Sequence, residues 1–155
     1  MGREEFVTLL GPVYEDSPWV AERAWADRPF ADLDHLCEGM ELTVLSASRD
    51  EQLTLLRAHP DLGTRARIAD SSAREQAGVG LDRLTDEEYN RLLQLNARYK
   101  EKFGFPFLYA VKGSDKHQIL RALETRLGST PEDEFDEALR QVFRIARFRL
   151  EERIA

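Results

Sequence analysis

The chain has 155 residues, of which 42% are hydrophobic and 33% charged, with a formal net charge of −7. This length fits one domain with its own core, and the composition is that of a globular protein rather than a disordered one. The acidic balance argues against nucleic-acid binding, which needs clustered Lys and Arg, and an anionic substrate would need a local cation.

A single cysteine, Cys37, excludes an internal disulfide and suits a reducing compartment. No apolar run approaches the ~18 residues of a membrane span, and the N-terminus lacks a signal-peptide core. We therefore expect a cytoplasmic protein that does not cross a membrane.

Amphipathic spacing and capping signals predict four helices before residue 59. They cover residues 3–11, residues 19–27, a segment that begins after Asp32, and a segment that begins near residue 49. We expect Ser17 to cap the second helix, with Pro18 in its first turn. Ser48 and Glu51 form a capping-box sequence for the fourth.

The fourth helix should end by about Ala58. The reason is that His59 precedes Pro60, and the residue before a proline is disfavoured in the α region. Its buried side would carry Leu53 and Leu56. His59 is thereby placed at the C-terminal end of a helix.

Residues 60–84 are predicted to be a polar loop that can hold a short helix at 73–77. Three further helices are predicted from Thr85 to Phe103, from Ser114 or Asp115 to about Leu127, and from Thr130 to the chain end. Residues 105–111 are apolar but contain a proline, which favours a buried extended crossing over a sheet strand. Together these elements predict an all-α fold, a single-domain bundle of seven to eight helices over residues 1–155 with a central polar loop region.

Four ordered motifs lie between residues 59 and 113. They are His59-Pro60-Asp61-Leu62, Ser72-x-x-Glu75-Gln76-x-x-x-Gly80, Leu95-Asn96-x-x-Tyr99-x-x-Lys102-Phe103-Gly104-Phe105-Pro106-Phe107, and Val111-Lys112-Gly113. In these motifs, and over nearly the whole chain, the sequence resembles the 2-oxo-4-hydroxy-4-carboxy-5-ureidoimidazoline (OHCU) decarboxylase family. The resemblance implies a carboxy-lyase of urate degradation that converts OHCU into (S)-allantoin and carbon dioxide without a cofactor. It also implies a homodimer.

His59 has two interpretations. A histidine at a helix C-terminus can be a cap whose imidazolium is favoured by the helix dipole. The same position also suits a residue that donates a proton near neutral pH. The resemblance implies that His59 is catalytic and that Pro60 contacts the substrate.

Ser72 and Glu75 also have two interpretations, because Ser-x-x-Glu is a capping-box sequence. A glutamine can replace a capping glutamate, since either side chain reaches the N-cap amide, but it cannot replace a general acid or base. The resemblance implies that Glu75 is catalytic and that Ser72 and Gln76 contact the substrate.

The last helix carries an apolar stripe at helical spacing. Its members are Phe135, Ala138, Leu139, Val142, Ala146 and Leu150. Arg149 falls inside this stripe, where a guanidinium must be paired, bind an anion, or extend to water. Arg140, Arg144, Arg147 and Glu151 form the opposite, solvated face. The resemblance implies a substrate-binding arginine in this helix, best matched by Arg149, with Arg147 as the alternative.

Three further positions are assigned roles. Asn96 interrupts another apolar stripe and is predicted to be a structural core amide. The resemblance implies that backbone groups around Leu108 and Ala110 hold the substrate ring.

No metal site is expected. His35 and Cys37 are two residues apart on a helix and diverge, and His117 lies far away in sequence. Cys37 lies on a core stripe, which argues against a thiolate nucleophile.

Two other functions remain compatible with the sequence. One is a hydrolase of a related ureide with Glu75 as general base, and the other is a non-enzymatic helical interaction module.

Overall fold

The computed structural model describes residues 2–62 and 84–154. These contain seven α-helices, which we number α1 Arg3–Leu10, α2 Trp19–Ala24, α3 Leu33–Leu45, α4 Arg49–Ala58, α5 Asp86–Phe103, α6 Lys116–Arg126 and α7 Pro131–Ile154. Short 3-10 turns at Gly11–Val13 and Trp25–Asp27 follow α1 and α2. The described residues contain no strand, so the all-α class is confirmed. The short helix predicted at 73–77 lies outside them.

Most of the helices begin at the side-chain caps that the sequence predicts. Reciprocal capping boxes join Ser48 to Glu51 before α4, Thr85 to Glu88 before α5, and Asp115 to Gln118 before α6. Thr130 Oγ1 accepts a hydrogen bond from the Asp133 N–H at the start of α7. These bonds satisfy N–H groups that have no partner within a helix, and thereby fix where each helix begins.

Two local predictions are wrong. Ser17 does not cap α2: its hydroxyl donates to the Glu15 carbonyl at 2.8 Å, and Pro18 occupies the N-cap position. The buried side of α4 carries Gln52, Leu55 and Leu56 rather than Leu53. Gln52 can be buried there because its amide donates to the Val44 carbonyl at 2.9 Å.

The described residues form two compact units. One comprises Met1–Ala58 with Val142–Ala155, and the other comprises His59–Gln141. In the first unit, α2 packs against α1 and α3. Phe6 contacts the rings of Trp25 and Phe30 there, with ring centroids 5.2 Å and 6.2 Å away.

The second unit has an aromatic core around Tyr99 of α5. Its ring meets those of Phe105 and Phe107 edge-on, at centroid distances of 5.9 Å and 5.3 Å, and Phe105 meets Phe135 of α7. Such pairs add about 0.5–1.5 kcal/mol each beyond the area they bury. This core surrounds residues 105–111, which we call the crossing segment. As predicted, it is buried and forms neither helix nor strand.

Gly104 connects α5 to the crossing segment. Its φ of 80° lies in the left-handed region, which a residue without Cβ adopts at little cost. The chain can therefore leave the helix axis within one residue and enter the core.

None of the helices in the described ranges is long and apolar enough to cross a bilayer.

Glu88 gives a prediction about pH and stability. Its hydrogen bond to Lys116 (2.7 Å) and the backbone hydrogen bond from Thr85 lower the pKa of Glu88 from 4.5 to about 2. A depressed carboxyl pKa stabilises the folded state fully above the unfolded-state value, and the contribution is lost as pH falls through the folded-state value. The difference in free energy of unfolding between wild type and Glu88→Gln should therefore shrink between about pH 5 and about pH 2.

Urea titrations at several pH values measure that difference. Glu87→Gln, an exposed change at the neighbouring position, is the matched control. A difference that does not vary with pH over this window would contradict the assignment of the ion pair.

Candidate active site

His59 directly follows α4, which ends at Ala58 as predicted. The histidine is buried, with 6% of its surface exposed, whereas Pro60 is exposed. Leu62, three residues further along, is 1% exposed. The His-Pro-Asp-Leu motif therefore points both its histidine and its leucine inward, and the imidazole is held at a helix end.

Two side chains hold the backbone of the crossing segment. The Leu108 carbonyl accepts a hydrogen bond from Arg126 Nη1 at 2.6 Å, and the Ala110 N–H donates to Gln141 Oε1 at 2.9 Å. The side chains of Leu108 and Ala110 are also buried. The stretch whose backbone the resemblance assigns to the substrate ring is therefore fixed in the core of its unit.

Arg126 is itself held by a buried carboxylate. Its Nε donates to Glu134 Oε1 at 2.5 Å, and the Tyr99 hydroxyl donates to the same oxygen at 2.5 Å. Burial raises the pKa of Tyr99, and its hydrogen bond to Glu134 raises that pKa further, so the phenol stays protonated as a donor. The guanidinium also lies over the Phe107 ring, 4.4 Å from its centroid. This arrangement satisfies both buried charges.

Sequence reasoning missed Arg126, Glu134 and Gln141. The signal was available, because Arg126 follows Ile119 and Leu123 at helical spacing on the buried side of α6. The rule that singles out Arg149, a charged residue inside an apolar stripe, applies equally to Arg126.

Arg149 is half-buried rather than buried, with 32% of its side chain exposed. Its guanidinium pairs with the Glu15 carboxylate at 2.7 Å and donates to the Val13 carbonyl at 3.1 Å. A long side chain can reach such partners from the edge of an apolar stripe, which is the physical reason for the difference from the prediction.

The predicted stripe of α7 is confirmed in its register. All six members are buried, namely Phe135, Ala138, Leu139, Val142, Ala146 and Leu150. Arg147 is exposed and pairs with Asp34 and Glu151 on the solvated face. Of the two arginines, Arg149 is the more sheltered.

Ser72, Glu75 and Gln76 lie outside the described residues. Their predicted roles, and the convergence of His59, Glu75 and Arg149 on one substrate, stay predictions.

Asn96 is buried at 7% exposure, and within residues 2–62 and 84–154 neither of its amide atoms has a hydrogen-bond partner. Its structural role also stays a prediction.

Cys37 is buried, and burial is the main cause that raises its thiol pKa. This is the environment of a core residue rather than of a nucleophile. The described ranges hold no group of three or more His, Cys, Asp or Glu side chains that could bind a metal ion.

The comparison with known proteins covers almost the whole chain. The sequence model of the OHCU decarboxylase family matches residues 1–151. The chain belongs to that family.

Two relatives match this chain over most of their own length, and one solved structure matches it over about half of its chain. The OHCU decarboxylase of Halalkalicoccus jeotgali is 49% identical over 150 residues, which are 97% of this chain and 85% of that protein. The OHCU decarboxylase of Haloferax volcanii is 47% identical over 152 residues, 98% of this chain and 90% of that protein. Among solved structures, the fold resembles (S)-allantoin synthase with a TM-score of 0.83 and 36% identity, over 99% of this chain and 51% of that one.

The Arg149–Glu15 pair can be tested by its coupling energy. Because both side chains are partly exposed, a double-mutant cycle with Arg149→Gln and Glu15→Gln should give a coupling of roughly 0.5–1 kcal/mol in urea unfolding. Arg144→Gln paired with Glu15→Gln is the control, since Arg144 is exposed on the opposite face of α7. Equal coupling in both cycles would show that the Arg149–Glu15 contact does not form in solution.

Proposed function

We propose that this protein catalyses the cofactor-independent decarboxylation of OHCU to (S)-allantoin and carbon dioxide, the last step in the conversion of urate to allantoin. The observation that carries the proposal is the family match over residues 1–151 together with the OHCU decarboxylases that share 47–49% of its sequence. The position of His59 directly after the C-terminal end of α4 supports it, because a helix C-terminus suits a residue that donates a proton.

The reaction is a carbon–carbon cleavage in which the substrate acts as its own electron sink. The bond between a ring carbon and its carboxylate breaks, and carbon dioxide leaves. The electron pair is delocalised into the neighbouring carbon–nitrogen or carbonyl group. The hydroxyl on that ring carbon then loses its proton and becomes the ring carbonyl. A proton adds from one face to the neighbouring carbon, which carries the ureido group, and gives one enantiomer. The protein therefore has to orient the carboxylate, polarise the substrate and deliver one proton.

In this proposal His59 and Glu75 manage the substrate hydroxyl and the proton delivery. Pro60, Ser72 and Gln76 contact the substrate and help to orient it.

The proposed role of Arg149 is to donate hydrogen bonds to an anionic or carbonyl oxygen of the substrate. A guanidinium has five N–H donors, and the Val13 and Glu15 contacts engage its two terminal nitrogens. Because Glu15 balances its charge, Arg149 would act more through directed hydrogen bonds than through net positive charge.

The backbone of the crossing segment is proposed to hold the substrate ring at Leu108 and Ala110. The Ala110 N–H already donates to Gln141. Contact with the substrate at Ala110 would therefore go through its carbonyl.

A homodimer in the cytoplasm completes the proposal. The family resemblance supports the dimer, and the single cysteine suits a reducing compartment.

The direct test is to mix freshly generated OHCU with the protein and to follow carbon dioxide release and circular dichroism together. We expect carbon dioxide release to accelerate while the signal of a single allantoin enantiomer appears. Ring opening without carbon dioxide would indicate a ureide hydrolase instead. No change in either signal would indicate a protein without this activity.

The role of Glu75 can be separated from helix capping. Glu75→Gln should leave the melting temperature nearly unchanged and remove most turnover, because glutamine can cap a helix but cannot transfer a proton. The chain itself shows that glutamine is sufficient as a cap, since Gln118 completes the capping box of α6.

Glu88→Gln is the matched control, because Glu88 is an established capping glutamate of α5. It should retain turnover. A Glu75→Gln variant as active as Glu88→Gln would reduce Glu75 to a capping residue.

A further inference from the structure

Residues 108–110 are buried or half-buried and lie outside any helix or strand, so their backbone polar groups need partners from elsewhere. Two of these groups find partners in side chains: Arg126 donates to the Leu108 carbonyl, and Gln141 accepts from the Ala110 N–H. The two bonds are only two residues apart along the chain. They restrict both the position and the rotation of the short stretch between them.

The orientation of the Gln141 amide is fixed by a second contact. Its Nε2 donates to the Glu137 carboxylate at 3.0 Å, one turn earlier on α7. Its Oε1 is thereby turned toward the Ala110 N–H. A reversed amide would place two donors against each other at Ala110 and two acceptors against each other at Glu137. Glu137 therefore selects the side-chain orientation that fixes the backbone.

Arg126 is restricted in the same way from α6. Glu134 and the Phe107 ring hold its guanidinium in one orientation, in which Nη1 donates to the Leu108 carbonyl. Charged and polar groups from both neighbouring helices thus act on a single short stretch of backbone. Preorganised dipoles of this kind cost no reorganisation when a ligand arrives.

We propose that Gln141 and Arg126 are positioning residues for the decarboxylation, which set the backbone of residues 108–110 so that its remaining polar groups meet the substrate ring. Gln141, oriented by Glu137, fixes the Ala110 end, and Arg126, oriented by Glu134, fixes the Leu108 end. Neither side chain needs to touch the substrate. The proposal rests on the proposed function and adds to it the two side chains that fix the backbone for substrate binding.

The test exchanges donor and acceptor on α7. Gln141→Leu removes the acceptor of the Ala110 N–H, and kcat/KM for OHCU should fall by about tenfold or more, mainly through an increase in KM.

The double variant Glu137→Gln with Gln141→Glu restores both hydrogen bonds. A carboxylate at 141 accepts from the Ala110 N–H, and an amide at 137 donates to that carboxylate. It should recover kcat/KM to within about threefold of wild type. Arg144→Gln, an exposed change on the same helix, should match wild type.

Two kinetic results would overturn the proposal. One is a folded Gln141→Leu variant with the kcat/KM of wild type. The other is a folded double variant that is no better than Gln141→Leu, because activity would then not follow this hydrogen bond. If Gln141→Leu does not fold, the double variant alone decides, and it must fold and retain turnover.

A second measurement separates this proposal from the proposed function. In ¹⁵N-labelled protein without substrate, Gln141→Leu should speed hydrogen exchange at the Ala110 amide by about tenfold or more, and the double variant should restore its protection. If the variants show this pattern but the wild-type protein does not decarboxylate OHCU, the proposed function is refuted while the positioning of the backbone by Gln141 stands. Unchanged exchange at Ala110 in Gln141→Leu would refute the positioning itself.

Discussion

The buried ion pair between Arg126 and Glu134 is the constraint on which the second unit depends. Glu134 is 1% exposed and Arg126 is 9% exposed, so each charge needs the other. Removing one partner of such a pair costs about 3–5 kcal/mol, because the remaining charge is left uncompensated in a poorly solvated site. The pair also gathers the Tyr99 hydroxyl and the Leu108 carbonyl around it. Four separate parts of the unit, α5, α6, the start of α7 and the crossing segment, therefore meet at this ion pair.

This arrangement explains how a helical protein can present a stretch of irregular backbone as part of a site. Helices satisfy their own backbone groups internally and offer few to a ligand, whereas Leu108 and Ala110 of the crossing segment take their partners from side chains. Gln141 and Arg126 occupy two of its polar groups, and we propose that others contact the substrate. His59 belongs to the same unit and directly follows α4. Loops held by a rigid frame are common locations for catalytic groups.

Much of the fold could be predicted from sequence because its signals are local. The capping boxes of α4 and α5, the left-handed Gly104 and the proline that follows His59 each act within a few residues. The candidate site was harder to predict from the sequence, because its contacts join residues far apart in the chain. The register of α7 predicted the six buried stripe residues, but it put Arg149 inside the stripe, whereas its side chain is half-buried. No local pattern reveals its pairing with Glu15. The bond from Gln141 to Ala110, 31 residues away, was likewise beyond local reasoning.

A crystal structure of the protein with (S)-allantoin would test the central proposal most directly, which is that His59 and the backbone of residues 108–110 contact the same substrate molecule. We predict that the bound molecule contacts the His59 imidazole and a backbone group of this stretch, while the Ala110 N–H stays on Gln141. The contradictory result would be allantoin bound away from both His59 and residues 108–110, for example in the surface pocket lined by Arg3, Glu4 and Glu22. An Ala110 N–H that leaves Gln141 to bind the ligand would contradict it as well.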